Sequence, residues 1–113
     1  MSTVTIGVSS LGDARHPLAG AFRNEPQGER ISFTSIELLW KTLSPRRWEV
    51  VQTLTGQGPL AIREVARRLG RDVKAVHGDI TALISAGVVE RTESGVSFPY
   101  DAVHVDFMLT KAA

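Results

Sequence analysis

Chemistry on a 113-residue chain without cysteine has to come from its histidines, carboxylates and bases. The three histidines, His16, His77 and His104, lie far apart and fall in different expected elements. No HExxH pair, G-x-S-x-G elbow, P-loop or dinucleotide fingerprint occurs. Zinc, an activated serine and a phosphate cradle each therefore lack the spacing they require. The missing thiols exclude disulfides, thiolate nucleophiles, iron–sulfur clusters and Cys-ligated zinc. No catalytic residue, metal or cofactor is expected. What the chain does concentrate is positive charge. Between residues 41 and 78 stand Lys41, Arg46, Arg47, Arg63, Arg67, Arg68, Arg71 and Lys74, against Glu49, Glu64 and Asp72. That stretch carries a surplus of five positive charges, and the remainder a deficit of four, which the net charge of +1 conceals. A local surplus on helices is the electrostatic footprint of phosphate contact.

The elements that must present these bases follow from periodicity and punctuation. Thr3 to Val8 alternates, with Val4, Ile6 and Val8 on one face of a strand. Five Gly and Pro residues between 9 and 28 mark a loop, with a short helix over 18–22 behind Pro17. Residues 30–33 read as a second strand. Thr34-Ser35-Ile36-Glu37 matches a capping box with Thr34 as N-cap, and Ile36, Leu39, Trp40 and Leu43 continue it as an inward stripe. Ser44-Pro45 starts the next helix, with Trp48, Val51 and Leu54 inward and Gly56 and Gly58-Pro59 ending it. A third helix spans about 62–69, with Ile62, Val65, Ala66 and Leu69 inward. Gly70 turns the chain, and Asp72 caps a fourth helix over about 73–86. Its core face is Val73, Val76, Ile80, Leu83 and Ile84, and Gly87 is its left-handed terminator. The period then changes. Residues 88–92 and 96–98 form a hairpin around Glu93-Ser94-Gly95, and residues 103–109 form a last strand.

Three helices followed by a hairpin with a polar tip is the order of a winged helix-turn-helix. Ala66 is the small residue that lets two helices cross closely, Gly70 serves the turn, and Val76 is the apolar residue early in the second helix. Asp79 departs from this pattern, because an apolar residue is usual there. The expected class is α+β: a winged helix-turn-helix with additional N- and C-terminal strands. It divides into a strand and loop extension over 1–30 and the winged-helix domain over 31–113, compact as one unit. At 100° per residue the fourth helix turns Lys74, Ala75, Gly78, Thr81, Ala82 and Ser85 outward, with His77 and Asp79 on the flanks. Small outward side chains let a helix sink into the major groove. The expected DNA contacts are Arg71, Lys74, Ala75, His77, Gly78 and Thr81, with Arg63 and Arg67 from the preceding helix and Arg91, Thr92 and Ser94 from the wing. Arg46 and Arg47 are anomalous, since the macrodipole disfavours cations in a helix's first turn.

The quoted residues carry a resemblance. Phe33-Thr34-Ser35, Ser44-Pro45-Arg46-Arg47, the run from Gly58-Pro59 to Arg71-Asp72, Val76-His77, Asp79 and Phe98-Pro99-Tyr100-Asp101 resemble small prokaryotic MarR-like winged-helix regulators over about residues 31–109. The resemblance implies transcriptional regulation. It also implies the antitoxin role common in such pairs, in which one protein binds a toxin and its own promoter. Ala61 stands where similar sequences have a capping Ser, and Gly78 where they have a larger polar residue.

The function expected is therefore a DNA-binding regulator, and its partner double-stranded DNA. Paired half-sites match a two-fold protein, so a homodimer is expected, with Val4, Ile6, Val105 and Phe107 at its interface. The alternative is a protein-interaction module that neutralises a toxin through the acidic, strand-rich remainder and binds little DNA. No run of about 18 apolar residues and no signal-like start is seen, so no membrane partner and a cytoplasmic location are expected.

Overall fold

The computed structural model describes residues 2–8 and 29–108. The class is α+β. The elements in order are β1 (Thr3–Val8), β2 (Glu29–Phe33), α1 (Ile36–Thr42), α2 (Pro45–Leu54), α3 (Ile62–Leu69), α4 (Val73–Ser85), β3 (Glu90–Thr92), β4 (Gly95–Ser97) and β5 (Ala102–Asp106). No helix among the described residues is long and apolar enough to cross a membrane. The proposed helix over 18–22 and Leu109 lie outside the described residues.

The additional strands build a sheet within the chain. Its order is β2-β1-β5, and both pairings are parallel. Parallel neighbours cannot be joined by a tight hairpin, so the helices and the β3–β4 hairpin all lie on the path from β2 to β5. Register places Val4 opposite Val103, and Ile6 between Ile31 and Val105. These side chains share one face. α1 packs on it over β1 and β2, while Val105 at the β5 side stays partly exposed. The N-terminal strand is thus the middle of the sheet rather than an extension of the domain. Val4 and Ile6 are fully buried in the chain's own core. They are corrected from interface residues to core residues, because a central strand spends its apolar face inside its own fold.

Local signals explain the helix boundaries. The Ser44 hydroxyl accepts from the Arg47 N–H, with Pro45 in the first turn. Asp72 accepts from the Ala75 N–H. Gly70 ends α3 in the left-handed region, with φ 65°. The capping box shifts by one residue. Ser35, not Thr34, is extended before α1 and accepts from the Leu38 N–H at 3.1 Å. The inward stripes are narrower than periodicity suggests: Leu39, Leu43, Val76, Ile80 and Leu83 are buried, whereas Trp40 and Val73 are exposed. Each fully buried Leu or Ile contributes about 1.5–3 kcal/mol. Val88 and Val89 do not begin the hairpin strand. Their N–H groups both donate to the Leu83 carbonyl, and their side chains plug the core beneath α4.

The β3–β4 hairpin is anchored to the helices through Leu60. Leu60 and Val96 exchange N–H to carbonyl hydrogen bonds of 2.9 and 2.8 Å. Gly95 lies beside that contact with φ 145°, and a Cβ there would collide with the Leu60 carbonyl. Replacing Gly95 with Ala is expected to lower stability by about 2 kcal/mol or more, read as a fall in the urea midpoint with an unchanged slope.

Candidate nucleic-acid interface

The outward face of α4 is open. Lys74, Ala75, His77, Gly78 and Thr81 are all exposed. A Cβ added to Gly78 would meet no atom within 4 Å beyond its own stretch of helix among the described residues. The fold therefore does not require glycine there, although glycine in a helix interior costs about 1 kcal/mol relative to alanine.

A carboxylate behind that face organises the surrounding segments. Asp79 accepts from Arg71 at 2.7 Å and from Arg47 at 3.3 Å. Arg47 also donates to the Thr42 carbonyl at the end of α1, and Arg71 to the Arg46 carbonyl in the first turn of α2. One side chain thereby links the end of α1, the start of α2, the α3–α4 turn and the middle of α4. The side chains of Arg71 and Asp79 are only 15% and 18% exposed. Arg71, expected as a direct DNA contact, is thus committed to an internal pair. Its guanidinium is turned toward Asp79 because an unpaired, half-desolvated carboxylate there would be costly.

A second cluster lies on α3. Glu64 accepts from Arg67 at 2.6 Å and from Arg68 at 2.8 Å. Hydrogen bonds from Arg67 and then Arg68 lower the Glu64 pKa from its ordinary 4.5 to about 2. The same contact raises that of Arg67. Arg67 is nevertheless 72% exposed and can turn outward. In each cluster two arginines share one acid, so each retains one positive charge. Around them, Lys41, Arg46, Arg63 and Lys74 are exposed and form no ion pair among the described residues. The Arg71–Arg46 hydrogen bond sets the basic start of α2 beside the turn that begins α4.

The hairpin supplies less than expected. Arg91 and Ser94 are exposed. Thr92 is committed locally: its hydroxyl donates to the Gly95 carbonyl and accepts from the Ser94 N–H, which shapes the tip. Arg46 and Lys41 are exposed cations that periodicity did not select. The signal for Arg46 was present in its unfavourable position at a helix start.

A family model designated HVO_A0114 matches residues 42–105. The chain belongs to the HVO_A0114 family. The matched span of this HVO_A0114 member runs from the last residue of α1 into β5 and takes in both arginine clusters, the open face of α4 and the hairpin. No curated protein matches it.

Two outcomes follow for this HVO_A0114 member. Replacing Asp79 with Ala strands two guanidinium groups against each other and is expected to cost about 2 kcal/mol, below the range for a fully buried pair because the site is partly solvated; urea denaturation reads it. The Glu64 cluster gives a pH signature. Its folded pKa lies below the unfolded one, so its stabilisation is present above about pH 5 and fades as pH falls toward the folded value. The stability gap between the wild type and Glu64→Gln should be flat at neutral pH and shrink as pH falls from about 5 to 3.

Proposed function

We propose that this chain is a DNA-binding transcriptional regulator of the winged helix-turn-helix type, similar to MarR-like regulators and acting as a two-fold dimer. In this reading α3 and α4 form the helix-turn-helix, α4 enters the major groove, and the β3–β4 hairpin is the wing. The observation that carries it is the open face of α4. Lys74, Ala75, Gly78 and Thr81 leave a shallow helical surface, with no neighbour from outside the helix at Gly78 among the described residues. Exposed cations stand beside it at Arg46 and on α3 at Arg63. Small residues permit close approach of a helix to base edges, while the cations neutralise phosphates.

The roles divide accordingly. Lys74 and Arg46 contact phosphate, and Ala75, His77, Gly78 and Thr81 line the groove. Arg63, Arg67 and the wing residues Arg91 and Ser94 reach the flanking backbone. Arg71 and Asp79 hold α4 at its angle to α2. The antitoxin role, with a toxin as second partner, belongs to the same proposal and rests on the resemblance alone.

Fluorescence anisotropy on the DNA upstream of the gene tests the reading. Affinity should fall steeply between about 50 and 200 mM salt. Lys74→Ala and Arg46→Ala should each weaken binding and flatten the salt slope by about one ion. Gly78→Ala should separate fold from function: stability rises by about 1 kcal/mol, while affinity falls. Unchanged affinity in all three variants would remove α4 as the recognition element.

A further inference from the structure

The strand β5 is an edge of the parallel sheet, with no neighbour beyond it among the described residues. The Ala102 N–H donates to the Ser2 carbonyl, toward β1. Backbone direction alternates along a strand, so Val103 and Val105 aim their N–H and carbonyl groups at the open edge. Beside that edge lies a groove of about 400 Å³ between α2 and β5, lined by Trp48, Val51, Gln52, Thr55, Val103 and Val105. Val105 is 38% exposed. Phe107 continues the same side of the chain and stacks edge-on against the exposed ring of Trp40, with centroids 5.7 Å apart. On the opposite face of β5, His104 and Asp106 are both exposed.

An unpaired edge beside an apolar groove calls for a strand, and the sequence of β5 complements itself. We propose that β5 pairs antiparallel with β5 of a second copy, about a two-fold axis through Val105, joining two three-stranded sheets into one.

Register selects this arrangement. A two-fold axis through a residue that points its backbone outward makes a mutually hydrogen-bonded pair, so the axis passes through Val103 or Val105. Centred on Val103, His104 would face Ala102 of the second copy, with no complementary group. Centred on Val105, each His104 faces Asp106 of the other copy at a closely spaced, non-hydrogen-bonded position, twice by symmetry. On the other face Val105 meets its own copy, and Val103 meets Phe107 across the entrance to the groove. This deepens the two-fold part of the proposed function and rests on it for its biological use. It is tested without DNA, so either reading can fail while the other stands.

Sedimentation equilibrium of the full chain should show a dimer. Asp106→Lys sets a cation against His104 and should weaken association by about tenfold, equivalent to about 1.4 kcal/mol. The double variant His104→Asp/Asp106→Lys should restore it to within about threefold. Because the chain has no cysteine, Val105→Cys supplies a lone thiol at the axis. A hydrogen-bonded antiparallel pair sets its Cα atoms about 5.5 Å apart, within disulfide reach. Oxidation should cross-link Val105→Cys and leave a control at the opposite edge, Ser32→Cys, monomeric. A wild-type monomer at about 100 µM, an insensitive Asp106→Lys dimer, failed recovery in the double variant, or equal cross-linking of the control would each overturn the proposal.

Discussion

The arrangement of the helices depends on one carboxylate. Asp79 receives Arg47 and Arg71, and each arginine donates from one further nitrogen to a backbone carbonyl. Apolar burial favours contact between the helices but is not itself directional. Two guanidinium groups on one carboxylate fix both distance and angle. The position of α4 relative to α2 is set by a polar network, and the apolar core of Val50, Val65, Val76, Ile80 and Leu83 supplies the cohesion behind it.

The same network explains why some residues were legible in the sequence and others were not. Caps and turns are local, so Ser44, Pro45, Asp72, Gly70 and Gly87 could be placed from their neighbours alone. The α3 and α4 boundaries followed within a residue. Asp79 and Arg47 each broke a local rule. An acid stood at an apolar position, and a cation stood at a positive helix end. The two anomalies have opposite charge and lie 32 residues apart, and each is the explanation of the other. Charges 32 residues apart share no local context, so only the folded chain brings the two together.

The sheet was hardest to foresee. Alternation marked β1, β2 and β5 as strands but carries no information about neighbours. In the sequence Val4 and Ile6 look like interface residues, because a strand outside the helical unit has no visible partner in one dimension. In three dimensions β1 is the central strand, so those two valine and isoleucine side chains belong to the core. The charge surplus was also partly redistributed. Four of its arginines share Glu64 and Asp79, leaving one net positive charge at each cluster, beside Lys41, Arg46, Arg63 and Lys74, which form no ion pair among the described residues.

The central place of β1 bears on how the chain reaches its native state. Ser2 bonds to Asp101 across a separation of 99 residues, and β1 finds its β5 partner at a similar distance along the chain. Contacts this remote are the slowest to form. On a ribosome adding about 5–20 residues per second, β1 emerges seconds before β5 exists. Throughout that interval one of its edges has no native partner, whereas α3, α4 and the hairpin can assemble from near neighbours. The β1–β5 pairing therefore cannot close before the rest of the chain is made, and until then the β5 side of β1 is an unpaired strand edge.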